Sequence, residues 1–218
     1  MNRRPLPVAA ALTAAAALLL TACGSGDDSP KGNNKIAGAD SSATAKPASP
    51  SASPSDTAGR PKITLAKDMQ NVFEGGKTGD PVKDAILHDS SQRISSLDDA
   101  INARSLKRPA FGFYNAEDAA LSAAKWVQGF FDSGITWTGR VRYYDRKVTS
   151  LKSNVATLTY CSDESKSYNK DLKTGKKSGE VANSADSLVF YNTRLKKNSD
   201  GVWQTTDVFS QRGSKQCQ

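Results

Sequence analysis

Chemistry-bearing residues are sparse in this chain of 218 residues, which holds one histidine and three cysteines. The run Asn71-Val72-Phe73-Glu74-Gly75-Gly76-Lys77-Thr78 nearly spells a phosphate-cradling loop. That pattern needs glycine where Asn71 stands, and nothing strand-like precedes it, so a glycine-rich turn is expected. His88, in Leu87-His88-Asp89, has no evident triad partners and reads as a surface helix residue. Asp163 has the chemistry of an acid or base, although aspartate at a strand end more often closes an Asx turn. These residues assign no catalytic group, no metal ligand set and no cofactor. Binding residues are easier to nominate. Trp126, Trp137, Tyr143 and Tyr160 fall on faces expected to be apolar, where aromatics either pack a core or line a pocket. Arg140 and Arg142 share one strand face, and Lys173, Lys176 and Lys177 cluster around Gly175, a pattern suited to an anionic polymer or headgroup. Such contacts weaken with salt, because screening acts over about 8 Å at physiological ionic strength.

The elements that must position these residues can be read along the chain. Pro61 to Leu65 is a short extended segment, and 68–73 is expected to form a turn of helix stopped by Gly75-Gly76. Asp80 has the position of an N-cap with Pro81 at N1. Val82, Ala85, Ile86, Ile94, Leu97, Ala100 and Ile101 recur at helical spacing, so 81–103 is one long helix or two short ones divided at Ser90-Ser91. A second helix follows Asn115, the candidate N-cap, with Glu117 and Asp118 in its first turn and Gly134 at its end. The period then becomes two. Ile135, Trp137, Val141 and Tyr143 alternate with Thr136, Thr138, Arg140 and Arg142, and Gly139 marks a bulge or bend. Val155–Cys161, Leu188–Leu195 and Val202–Phe209 are further strands, separated by a polar tip at 171–176 and by the turn Asn198-Ser199-Asp200-Gly201. Helices first and strands afterwards imply an α+β fold, with helices packed on one face of a curved antiparallel sheet.

The first 60 residues are of a different kind. Met1 to Pro7 carries Arg3 and Arg4 and no acid, and Val8–Leu20 is apolar except for Thr13. This is a secretory leader, too short to span a membrane. Leu20-Thr21-Ala22-Cys23 resembles the bacterial lipobox. That resemblance implies cleavage before Cys23 and a diacylglycerol on its sulfur, with two or more acyl chains for stable anchoring. Residues 24–60 contain Ile36 as their one large apolar side chain, so they are expected to be a disordered tether. Its span would be roughly 35 Å. The organisation expected is thus a leader over 1–22, a lipidated cysteine and linker over 23–60, and one α+β domain over 61–218. The formal charge is +8. Arg3 and Arg4 account for two of these charges and the tether is neutral. The remaining excess on the domain is mild and does not imply nucleic-acid binding. With Cys23 acylated, Cys161 and Cys217 remain in an oxidising compartment, where a disulfide is the default; free thiols or a metal pair are the alternatives.

The order of two helical stretches, a long strand, Tyr160-Cys161-Ser162-Asp163, the Thr174-Gly175-Lys176 hairpin and Gly201-Val202-Trp203 resembles the NTF2-like (SnoaL-like) superfamily, over roughly 80–218. Its nearest likeness is to lipid-anchored members outside the cell membrane. The resemblance implies a sheet curled into a cone around a pocket closed by helices. Isomerase sites of this superfamily pair a carboxylate base with a tyrosine or acid that donates to an oxyanion. Tyr143-Tyr144-Asp145 offers both types. Alternation, however, sends the two tyrosines to opposite faces, and Asp145 is expected to end its strand near solvent.

The function expected is a non-enzymatic binding or interaction module on the outer face of the bacterial cytoplasmic membrane. Its partners would be the membrane, through the diacylglycerol on Cys23, and a small apolar ligand or an envelope protein. The alternatives are a SnoaL or isomerase-type enzyme, which requires a buried carboxylate of raised pKa facing a tyrosine, and a binder of anionic envelope polymer.

Overall fold

A computed structural model describes residues 59–179 and 185–218. The leader, Cys23 and the tether as far as Ala58 lie outside these residues. Arg60, assigned to the tether by composition, belongs to the folded unit: its guanidinium pairs with the fully buried carboxylate of Asp89.

The first element differs from expectation. In place of a helical turn, β1 (Met69–Phe73) runs parallel to β2 (Ile135–Lys152), with Met69 opposite Gly139 and Phe73 opposite Tyr143. Six residues cannot sustain an isolated helix. Pairing along the free edge of β2 satisfies their backbone and buries Met69. A strand therefore does precede the glycine-rich turn. Asn71 lies within that strand, and Thr78 binds Asp84 through its amide at 2.6 Å and its hydroxyl at 2.7 Å, so the turn forms the approach to a helix.

That helix, α1 (Pro81–Ala103), is continuous. Asp80 Oδ1 accepts from the amides of Val82 and Lys83 at 2.9 and 3.2 Å, and Pro81 fills the first turn. Ser91 does not break it, because its hydroxyl donates back to the Leu87 carbonyl at 2.9 Å. A short helix that periodicity did not announce, α2 (Pro109–Tyr114), precedes α3 (Glu117–Asp132). Asn115 does not cap α3; Ala116 holds that position. The Asn115 amide is buried instead, accepting from Arg93 Nε at 2.9 Å and donating to the Phe111 carbonyl at 2.8 Å.

The strands run longer than the alternation suggested. They are β2, β3 (Val155–Asp171), β4 (Lys177–Ser178), β5 (Leu188–Lys197) and β6 (Trp203–Arg212). Their order is β1-β2-β3-β5-β6, with β4 on the far part of β3. The sheet is antiparallel except for β1. Asp145 does not end β2: it takes a left-handed bulge at φ 49°, and pairing resumes at Lys147. Gly139 is the sharper irregularity. It sits at φ 103°, and a Cβ there would lie 2.1 Å from the Lys166 carbonyl oxygen. Only glycine fits, and the β2–β3 register shifts directly after it.

All three helices lie on one face of this curved, open sheet, the α+β arrangement expected from the order of elements. Leu97, Ala100 and Ile101 of α1 with Ala123 and Val127 of α3 cover Met69, Trp137 and Val141. Further along α1, Ile86, Leu87 and Ile94 cover Leu158, Tyr160, Leu195 and Trp203. Cys161 and Cys217 form a disulfide that ties the C-terminal turn to β3, with Cα atoms 5.7 Å apart. Among the described residues no helix is long and apolar enough to cross a membrane.

Candidate functional site

Between α1, α3 and the sheet lies a cavity of about 550 Å³. That is within the ~300–1,000 Å³ range typical of small-molecule sites. Helix α1 supplies Arg93, Ile94, Leu97 and Asp98; α3 supplies Ala123, Trp126 and Phe130; the sheet supplies Trp137, Val141, Tyr143, Tyr160, Glu164, Tyr191 and Arg212. All four aromatics nominated from the sequence, Trp126, Trp137, Tyr143 and Tyr160, therefore line one space. Trp137 and Tyr160 are buried, whereas Trp126 is half exposed and packs edge-on against Phe130, with centroids 4.9 Å apart.

Register explains the aromatic wall. Phe73 opposes Tyr143 across β1–β2, and Tyr160 opposes Tyr191 across β3–β5. Each pair stacks, at 4.9 and 4.8 Å between centroids, and Tyr143 meets Tyr160 edge-on at 6.2 Å. A ladder of four rings thus crosses four strands on the helix side. Burial holds the Tyr143, Tyr160 and Tyr191 hydroxyls protonated, each above the usual phenol range, so all three act as neutral hydrogen-bonding groups.

The acid in this cavity is Asp98, which the sequence reading did not nominate. Trp137 Nε1 donates to its Oδ1 at 2.8 Å and Asn71 Nδ2 to its Oδ2 at 2.6 Å. Burial raises its pKa to about 6, against the opposing pull of these two donors. Its charge also acts on the Tyr143 hydroxyl. Asp98 follows Ile94 by four residues, so an acid on the apolar side of α1 was its sequence signal. Arg93 was missed in the same way: it is buried, its Nε donates to Asn115 Oδ1, and its charge acts on the Tyr160 hydroxyl beside it in the lining. Near the cavity's rim Arg212 Nη2 donates to Glu164 Oε2 at 2.7 Å.

The remaining candidates lie elsewhere. Tyr144 turns away from Tyr143 and donates to the Cys217 carbonyl at 2.6 Å. Asp163 accepts from the Ser165 amide at 3.0 Å, the Asx geometry expected of it. His88 Nδ1 lies 3.2 Å from Asp89 Oδ1, outside the cavity. Arg142 stacks over Tyr144 at 4.2 Å and pairs with Glu74 and Asp163 at 3.4 and 3.6 Å. Arg140 is exposed opposite Lys166, and Lys177 lies 5.9 Å over Tyr168, while Lys173 and Lys176 are exposed in the hairpin. The basic residues are therefore spread over strand face and hairpin, and Arg142 is already neutralised. Among the described residues no group of three His, Cys, Asp or Glu is placed to hold a metal.

No protein-family model and no curated protein matches the chain. Among solved structures it is similar to a candidate ketosteroid isomerase from Shewanella frigidimarina, at 13% identity and TM-score 0.32, over 64% of this chain and 99% of that one. A ketosteroid isomerase-like protein from Erwinia carotovora atroseptica gives 14% identity and TM-score 0.40, over 63% and 99%. The intermembrane-space region of the chloroplast protein ARC6 gives 9% identity and TM-score 0.39, over 62% and 98%. At such identities the likeness concerns the fold, and the chemistry of the cavity is read from its own residues.

Proposed function

We propose that this chain is an exported lipoprotein whose α+β domain binds a small amphipathic molecule in its cavity. The observation that carries the reading is the cavity itself: about 550 Å³, with an aromatic wall from α3 and the sheet and with charged groups, Arg93, Asp98, Glu164 and Arg212, in its lining. A concave space of this size that combines an aromatic wall with placed polar groups is the usual form of a ligand site. Two tryptophans line it, so occupancy would change their emission. Titration of the protein with small bicyclic aromatics should quench tryptophan fluorescence saturably, and Leu97→Trp, which fills the space, should abolish the response. A response that never saturates, or that survives Leu97→Trp, refutes the reading.

Anchoring through Cys23 and placement on the outer face of the membrane rest on the leader and its lipobox-like end. Mass spectrometry of the mature protein tests them: a diacylglyceryl cysteine at the N-terminus is expected, and an unprocessed Met1 overturns the proposal.

A second reading is favoured by Asp98, a carboxyl held near pH 6 in a cavity it shares with the Tyr143 hydroxyl. That pairing suits proton abstraction next to a carbonyl, with a neutral phenol as oxyanion donor. Deuterium exchange into a cyclic β,γ-unsaturated ketone, followed by NMR, should then be catalysed by the native chain and lost in Asp98→Asn. Exchange at the uncatalysed rate removes this reading and leaves the binding module.

A further inference from the structure

Four charged residues line the cavity, and of these Arg212 pairs with Glu164 whereas Arg93 has no carboxylate partner among the described residues and Asp98 is met by the neutral donors of Asn71 and Trp137. Arg93 and Arg146 are both buried, and among the described residues neither is within ion-pair distance of a carboxylate. Arg93 Nε donates to Asn115 Oδ1 at 2.9 Å, and Arg93 lines the cavity together with Tyr160. Arg146 donates to the Leu87 carbonyl and, at 2.7 Å, to Ser91 Oγ, lies 5.2 Å over the Phe73 ring, and leaves its Nε without a partner. Both cations act on Tyr160.

The nearby acids are committed elsewhere. Asp89 takes Arg60 and, at 2.9 Å, the Trp203 amide. Asp98 takes Asn71 and Trp137, Asp99 takes Arg108 at 2.8 Å, and Glu164 takes Arg212 at 2.7 Å. A buried guanidinium without a counter-charge is costly, and one that borders an open cavity can be matched by what enters it.

We infer that the ligand of this cavity is an organic anion, a compact apolar body bearing one oxyanion head, with the head seated against the Arg93 guanidinium and the Tyr160 hydroxyl. The inference rests on the reading of the cavity as a binding site. Arg93 lines the cavity and carries the planar fork of donors that suits a carboxylate or sulfonate. The body then lies against Leu97, Trp137 and Phe130. Arg146 adds charge behind Tyr160 without reaching the ligand.

Two probes of equal body size test this, 2-naphthalenesulfonate and 2-naphthalenemethanol. Isothermal titration calorimetry would use the full chain in phosphatidylcholine nanodiscs, with empty discs as control. The sulfonate should bind the native chain about tenfold tighter than the alcohol, the increment of one charge-assisted pair. Arg93→Met should bring the ratio to within about twofold, and Tyr160→Phe should narrow it to about threefold. Equal affinities in the native chain overturn the inference and leave the binding module standing. Preference retained in Arg93→Met overturns it too, by placing the anion elsewhere. Should Arg93→Met fail to fold, the native ratio and Tyr160→Phe decide. Binding of neither probe overturns the binding module and this inference together.

Discussion

Asp98→Asn separates the electrostatics of the cavity from its packing. The Asp98 carboxyl is buried, and its pKa stands at about 6 against an ordinary 3.8. Each pKa unit corresponds to about 1.4 kcal/mol, so the shift of roughly two units is a difference of about 3 kcal/mol between folded and unfolded chains. Because the folded pKa is raised, the folded state holds a proton between about pH 4 and 6 that the unfolded state has released. Stability from this group is therefore greatest in acid, falls as pH rises through that window, and is lowest by about 3 kcal/mol above it. Asparagine has the same shape and no charge. Its oxygen can still accept from Trp137 Nε1, and its amide can donate to Asn71 Oδ1, which has no partner in the native chain, once the Asn71 amide turns over. At pH 8 the variant should be more stable by up to about 3 kcal/mol, a rise in Tm of about 6–12 °C for a domain of this size. At pH 4.5 the gain should shrink to about 1 kcal/mol. Calorimetry or urea unfolding at the two pH values reads both. A variant destabilised equally at pH 4.5 and pH 8 would refute the reasoning, because the Asp98 hydrogen bonds would then outweigh its desolvation.

Three other substitutions probe the frame around the cavity. Gly139→Ala meets the Lys166 carbonyl at 2.1 Å from a backbone at φ 103°, and should cost about 2–3 kcal/mol in urea unfolding; a cost under 1 kcal/mol would mean that the bulge relaxes freely. Arg60→Met leaves the Asp89 carboxylate buried without its cation and should cost about 3–5 kcal/mol in urea unfolding at pH 8; unchanged unfolding would place Arg60 outside the cooperative unit. Replacing Cys161 and Cys217 together by serine opens a loop of sequence separation 56 and should lower stability by about 4 kcal/mol, while reductant should affect the native chain alone; equal stability of the two chains would remove the disulfide from the account of the fold.

How far the fold and site could be read ahead depended on whether a residue's neighbours lie close in the chain. The start of α1 was legible because Asp80 and Pro81 act on amides two and three residues away. The alternation after Gly134 was legible for the same reason, and it carried Trp137 and Tyr143 into the cavity. β1 was not, because its strand character comes from pairing with residues 70 positions later, from Met69 to Gly139, while its own five residues have a weak helical pattern. Asn115 shows the competing effect: a good cap by residue type, it is drawn inward by Arg93 and the Phe111 carbonyl and gives the cap position to Ala116. Asp98 and Arg93 show it most sharply. A charge in an amphipathic helix is ordinarily assigned to solvent, but α1 is covered by sheet along one side and by α2, Arg60 and the 61–65 segment along others, so it has little solvent face to offer. Buried charge survives there because Asn71, Trp137, Asn115 and Tyr160 each arrive from a different element to meet it. The chemistry of this cavity is thus a property of convergence between elements, and the clue available in advance was an acid and an arginine placed beside Ile94 and Leu97, where burial was already expected.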